Sequence, residues 1–345
     1  MPAHRVGFAT GYDPHLSARD MAAFARRAEE LGYEIGFFSE TVELMRDSVS
    51  SLAAMVLATE RLTIGATQIV RLRSPLVMAQ TMATLDEMSG GRVVLAPGAC
   101  TASHSRRYGL THVDPPTSLR EWVEIMRRLL QGETFTYEGE TITVHDVEMG
   151  WQPVRPAIPM WIPATSTTGL RLAGQLGDGV LLNAICSPEY TINALRIVRE
   201  AVEKSGRDWS TFTVAQLINC SVEDDPQTAI DAIRWEVASK FDPVQLPFIA
   251  GPKLRVGEPY IRESDIPVFE EAWKKGGREA LIKAIPDSYV TGMTASGTPD
   301  QVLGRVEEYR QAGVHLPILR PAAEHQTERL LQLFASSNVA GTAVS

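Results

Sequence analysis

Residues 62–96 read LTIGATQIVRLRSPLVMAQTMATLDEMSGGRVVLA. The run at 62–70 is apolar and β-prone, and the stretch 75–88 has helical character with Pro75 at its first position, where a missing N–H costs nothing. Ser89-Gly90-Gly91-Arg92 then reads as a tight connection into a second β-prone run, 92–96. This is a strand–helix–strand unit, and parallel neighbours need such a crossover. The same unit recurs in both directions along the chain. Upstream, 5–10 (RVGFAT) precedes a helix at 17–31 with Ser17 as N-cap, Asp20 in capping-box position and Gly32 as stop, and 34–38 (EIGFF) precedes a helix at 48–59. Downstream, 92–96 leads to a helix near 117–130, 159–163 to one near 168–176, 178–183 to 188–204, and 211–222 to 226–240. The run 314–319 follows a helix at 299–312 and precedes a last helix near 323–334. Eight strands alternating with helices predict an α/β fold of the (β/α)8 TIM-barrel class. An open dinucleotide-binding sheet is the competing arrangement, but the first turn, TGYDPHL at 10–16, lacks its G-x-G-x-x-G signature.

Two stretches break the rhythm. Residues 133–144 (ETFTYEGETITV) alternate around Glu138-Gly139 and predict an inserted hairpin. Residues 241–294, with several Pro and Gly and a charged helical piece at 267–275, predict a lid-like insertion or a substrate wall over the barrel mouth. The expectation is one barrel domain over 1–345. The 345 residues are 44% hydrophobic and 22% charged, which excludes a disordered chain and leaves ample material for a core. A net charge of −9 argues against nucleic acid as a partner. No apolar run is long enough to span a bilayer, and the N-terminus lacks the pattern of a secretory signal. The three cysteines, Cys100, Cys186 and Cys220, are odd in number and far apart, so disulfides and zinc are not expected and a cytoplasmic location is.

In a barrel of this class the chemistry sits at the carboxyl ends of the strands. That rule selects Thr10-Gly11-Tyr12, Ser39-Glu40, Thr67-Gln68-Ile69, Gly98-Ala99-Cys100, Ala164-Thr165-Ser166-Thr167, Asn183-Ala184, Asn219 and Arg320. The small and hydroxylated run 164–169 suits a phosphate at a helix N-terminus, and it equally suits a simple N-cap. Arg71, Arg73, Arg106 and Arg107 could face an anion or be solvated loop charge, and His104 and His112 fall in a loop after the fourth strand. Cys100 has no evident activating partner. No Ser/His/Asp order, HExxH or P-loop is readable, so a hydrolase or NTPase has little support.

Three segments carry a resemblance to the bacterial luciferase-like superfamily, and within it to the deazaflavin-dependent branch of methylene-tetrahydromethanopterin reductase-like proteins. They are residues 62–98 with the LDEMSGGR connection, 158–183 (IPMWIPATSTTGLRLAGQLGDGVLLN), and 297–321 (GTPDQVLGRVEEYRQAGVHLPILRP). The resemblance implies a TIM barrel, usually a homodimer, that binds coenzyme F420, or alternatively FMN, at the carboxyl mouth. It also implies a non-proline cis peptide within Ala66-Thr67-Gln68. Phosphate-binding positions carry over to Thr165, Ser166 and Thr167, with Asn183 and Ala184 beside them. Positions next to the cofactor carry over to Ser39, Ala66, Thr67, Gln68, Gly98 and Ala99. Where relatives show Ser/Thr-Asp-His after the second strand, this chain has Ser39-Glu40-Thr41. Glu40 is the candidate catalytic proton donor, or else a hydrogen-bond acceptor toward the cofactor. The implied activity is hydride transfer from reduced F420 to a C=C, C=N or C=O group of a small organic substrate. The alternatives are a reduced-FMN monooxygenase and a non-catalytic flavin-binding relative. Trp151, Trp161, Phe248 and Tyr260 suggest a partly hydrophobic ligand.

Overall fold

The computed structural model describes residues 5–10, 13–42, 44–99, 105, 107–110 and 114–335. The first half alternates β1 (Gly7–Ala9), α1 (Ala18–Glu30), β2 (Ile35–Ser39), α2 (Ser48–Ala58), β3 (Thr63–Ile69), α3 (Pro75–Ser89), β4 (Val93–Gly98) and α4 (Pro115–Leu130). The hairpin β5 (Phe135–Glu138) and β6 (Thr143–Val147) follows, three residues longer at its end than the sequence suggests. Then come β7 (Trp161–Ala164), α5 (Thr167–Leu176), β8 (Gly179–Leu182), α6 (Pro188–Lys204), β9 (Thr213–Val222) and α7 (Pro226–Ala238). The insertion holds α8 (Ala250–Val256), α9 (Ile266–Ala284) and α10 (Asp287–Met293). The chain then forms β10 (Ala295–Gly297), α11 (Pro299–Gln311), β11 (Leu316–Pro321) and α12 (Thr327–Leu333).

Eight parallel strands run in the order β4-β3-β2-β1-β11-β9-β8-β7. A parallel bridge between Leu95 and Met160, with Leu95 N–H donating to Pro159 O at 3.0 Å, joins the two ends into a nearly closed barrel. Alternate residues divide between two cores. Ala9, Ile35, Phe37, Val94, Ala96, Trp161, Leu181, Ala215, Leu217, Leu316 and Ile318 fill the barrel. Phe8, Phe38, Ile64, Ala66, Leu95, Ile162, Val180 and Leu319 instead pack outward against the helices. The Phe37 and Trp161 rings stack at 6.4 Å between centroids and 2° between planes. Gly65 makes room for them, because a Cβ there would stand 2.7 Å from the Phe37 ring.

The amino end of the barrel is structural, as the Ser89–Arg92 connection predicts. Gly90 and Gly91 take φ of 68° and 90°, and Arg92 ties the turn to the end of α2 by donating to Thr59 O at 2.8 Å. Fully buried Asp86 accepts two bonds from Arg155, at 2.9 and 2.6 Å. Asp86→Ala would strand the Arg155 guanidinium and is expected to cost about 3 kcal/mol. Urea unfolding should show that loss, while ligand affinity at the opposite end of the barrel stays unchanged.

The insertion holds more helix than the single piece expected at 267–275. It is mostly helical, and directly after it β10 forms a ninth parallel strand, paired with β9 at Cys220–Val222. The cause is aromatic packing. Phe241, Phe269 and Tyr289 meet edge-to-face with centroids 5.2 to 5.5 Å apart. They belong to the same buried cluster as Ala215, Leu217 and Ile318 of the barrel interior. α9 breaks at Gly276 and Gly277, where the backbone leaves helical geometry. The insertion therefore forms a packed wall continuous with the barrel core. Among the described residues no helix is long and apolar enough to cross a membrane.

Candidate active site at the carboxyl ends of the strands

Three clusters gather at this end. The first joins β2, β3 and the start of α2. Thr67, paired with Ser39 across the β2–β3 ladder, accepts the Glu40 N–H on its hydroxyl at 3.2 Å. The Glu40 carboxylate accepts from Ser48 Oγ at 2.9 Å and from the Ile69 N–H at 3.0 Å, and it pairs with the Arg73 guanidinium. Arg73 also reaches Gln68 Oε1 at 2.8 Å and Asp47 at 2.6 Å, and Gln68 Nε2 donates to Ser48 Oγ at 2.7 Å. Ser48, the Ile69 N–H and Arg73 each point a donor at Glu40, and both carboxylate oxygens serve as acceptors. Arg73, one of four arginines that could have faced an anion, is committed to this network. Thr10 Oγ1, just past the end of β1, is buried and has no hydrogen-bond partner among the described residues.

The structure separates the expected β3 residues. Ala66 packs in the outward core and Gln68 spends its amide on Ser48 and Arg73, so only their backbones are available to a ligand inside the mouth. The expected cis peptide is a correction: among the described residues no peptide bond is cis. At the end of β4, Gly98 would tolerate a Cβ, whose nearest neighbours lie 3.7 and 3.9 Å away. Gly11, Tyr12, Cys100, His104, Arg106 and His112 lie outside the described residues.

The second cluster lies where β7 and β8 turn into helices. Ser166 is the N-cap of α5, its hydroxyl accepting the Gly169 N–H at 3.1 Å, so the N-cap expectation is met. Thr165 O accepts the Tyr190 hydroxyl of α6 at 2.7 Å, which ties this turn to its neighbour. Asn183 Oδ1 accepts the Ala184 N–H at 2.9 Å. The predicted phosphate-binding residues thus come together on adjacent turns.

The third cluster joins β9, β11 and α7. Arg320 pairs with Glu236 and donates to Asn219 Oδ1 at 3.0 Å, while Asn219 Nδ2 donates to Glu236 at 2.5 Å. Arg320 and Glu236 have side chains only 4% exposed. The strand-end rule finds Asn219 and Arg320 but misses Glu236, Lys240, Lys253 and Glu258, which come from α7 and the insertion. Glu236 had no distinguishing signal, because 229–238 (AIDAIRWEVA) also carries Asp231 and Arg234.

Half-buried Lys240 sits beside this cluster, with its amine lowered to about 8. Burial is the main cause; nearby Arg320 and Lys253 push the same way and Glu236 opposes them. An unfolded lysine holds its proton to about pH 10.4. Between the two values the unfolded chain binds more protons, so the Lys240 contribution to stability rises with pH there. Below pH 8 it is a constant cost. The stability of wild type minus that of Lys240→Met should be flat below about pH 7.5 and climb from about pH 8 to 10. A flat difference across the whole range would contradict the burial of the amine.

Of the four aromatic residues expected to line a ligand pocket, Trp161 begins β7 and lies toward the amino end of the barrel, beside Glu34, Arg92 and Val94. Trp151 lies elsewhere, in a groove with Leu76, Val77 and Gln80 of α3.

A family model described as luciferase-like monooxygenase matches residues 4–316. The chain belongs to the luciferase-like family. Among relatives, the 5,10-methylenetetrahydromethanopterin reductase of Archaeoglobus fulgidus is 29% identical over 314 residues, covering 89% of this chain and 91% of the relative. The F420-dependent glucose-6-phosphate dehydrogenase of Intrasporangium calvum is 30% identical over 233 residues, 63% of this chain and 70% of the relative. The solved F420-dependent tetrahydromethanopterin reductase of Methanopyrus kandleri superposes with a TM-score of 0.83 at 22% identity, over 98% of this chain and 99% of that one. That last likeness establishes the TIM-barrel fold.

Proposed function

We propose that this luciferase-like chain is an F420-dependent oxidoreductase that passes hydride to a C=C, C=N or C=O group of a small organic substrate. The observation that carries the proposal is the mouth itself. Polar and small residues, Ser39, Thr67, Gly98 and Asn183, stand at or near the carboxyl ends of strands above an apolar layer that includes Ala96 and Leu181, beside two capped helix starts. A planar cofactor with an anionic tail fits such a site: the ring lies over the apolar layer and the tail meets backbone N–H groups. The buried, unpartnered Thr10 hydroxyl is one polar group a bound ring could satisfy. Reduced F420, when bound, supplies the hydride at its C5.

The chain's own residues bind, orient and exclude water. Ser39, Thr67, Gly98, Ala99 and the backbones of Ala66 and Gln68 are assigned to the ring. Thr165, Ser166, Thr167, Asn183 and Ala184 are assigned to the anionic tail. Glu40 is assigned to hold the end of β3 through the Ile69 N–H. Glu40 can deliver a proton to the substrate only if its ion pair with Arg73 opens. Exposed Leu57, Val77 and Met88 on α2 and α3 support a homodimer through that face.

The family model's description favours a second reading, an FMN-dependent monooxygenase, which consumes oxygen. Anaerobic incubation with reduced F420 carrying two deuteriums at C5 separates the two. Deuterium in the reduced product, one per turnover, is the expected result; turnover that requires oxygen would overturn it.

A further inference from the structure

We infer that Lys253 and Glu258, from the insertion, are positioning residues that clamp the β8–α6 turn so that it can receive the anionic tail of the cofactor. The inference rests on the F420 reading above. Lys253 is 1% exposed, and its ammonium forms no ion pair within 4 Å among the described residues. Its Nζ donates to Ala184 O at 2.9 Å and also to Ile185 O. Glu258, equally buried, accepts the Ser187 N–H at 2.8 Å. One short stretch of the insertion therefore grips both sides of the turn, some 70 residues away in sequence. Between the two grips Ile185 has φ of 60°, a left-handed conformation that a β-branched residue adopts only when its surroundings impose it.

The clamp has a directional consequence. In a trans peptide the N–H points opposite to the C=O. Drawing the carbonyls of Ala184 and Ile185 toward Lys253 turns the N–H groups of Ile185 and Cys186 the other way. Neither N–H has a hydrogen-bond partner among the described residues. Successive N–H groups around a left-handed residue form a concavity suited to a phosphate or carboxylate. Tyr190, on the helix that follows, extends the linkage to Thr165 on the neighbouring turn. The insertion thus shapes the tail site without touching the ligand. This assigns a purpose to two charged residues that packing alone would replace with apolar ones.

The test compares wild type with Lys253→Met, Lys253→Arg and Glu258→Gln. Two ligands are titrated: F420, and its truncated deazaflavin form that ends at the ribityl group without phosphate or tail. Amide hydrogen exchange is followed in the ligand-free proteins. K253M is expected to weaken F420 about tenfold, to leave the truncated form within twofold of wild type, and to raise exchange across 183–187 but not along β9. K253R should restore most of the F420 affinity, and E258Q, the milder change, should show the same pattern to a smaller extent. Unchanged F420 affinity, or equal loss for both ligands, would overturn the inference. If wild type binds neither ligand, the F420 reading fails and the assigned tail fails with it. Exchange then decides the clamp alone: a rise across 183–187 sustains it, and unchanged exchange overturns it.

Discussion

Glu236→Ala is expected to destabilise the protein by about 3–5 kcal/mol, the largest stability effect of any single substitution considered. Three facts set the magnitude. Glu236 and Arg320 are each nearly fully buried. Glu236 also accepts from Asn219. The cluster lies on the inner side of α7, next to the barrel mouth, where Ile233 and Val237 belong to the barrel's own core. Removing the carboxylate leaves a guanidinium in a poorly solvated site with its amide neighbour unsatisfied. Glu236→Gln keeps an acceptor and should cost less. Replacing both partners by apolar residues of similar volume should be far better tolerated than either single change, because most of the penalty is the stranded charge. Urea unfolding of the singles and the double gives the comparison directly. A loss under about 1 kcal/mol for Glu236→Ala would mean that Arg320 finds other compensation.

Glu40→Gln carries the largest expected effect on activity. The carboxylate bonds the Ile69 N–H, Ser48 and Arg73 together, and so fixes the end of β3 where the cofactor ring is assigned. The glutamine amide can keep one of these bonds but presents a donor to Arg73, so Arg73 and the strand end should shift. A displacement of about 1 Å at a reacting centre costs on the order of 100-fold. The expected result is a fall of about that size in kcat/KM accompanied by weaker F420 binding. If Glu40 acts instead as proton donor, F420 affinity should stay within a few-fold while kcat alone falls by about 10²–10⁴. Measuring the two constants separately therefore assigns the residue.

Much of the fold is legible from local chemistry. Ser17 and Asp20 form the predicted capping box, Pro75 begins α3, and α6 spans the predicted 188–204. The inward or outward facing of each strand residue is not legible. Strands of a parallel barrel are apolar on both faces, so alternation carries no signal. That is why Ala66 and Gln68 could be grouped with Thr67 although their side chains face the helices. The candidate site is legible where it lies at strand ends and hidden where it depends on distant pairing. Arg320 meets Glu236 across 84 positions, and Lys253 meets Ala184 across 69. Spacing along the chain gives no sign of either contact. The helices of the insertion were obscured for a related reason: their apolar residues serve a core built largely by other segments.

The central claim is that this luciferase-like barrel uses a deazaflavin. The most direct measurement is a titration of the purified protein with oxidised F420 and, separately, with FMN, following tryptophan fluorescence. Saturable binding of F420 at micromolar concentration, with FMN binding at least tenfold weaker, is the predicted result. Tighter binding of FMN than of F420 would contradict the account.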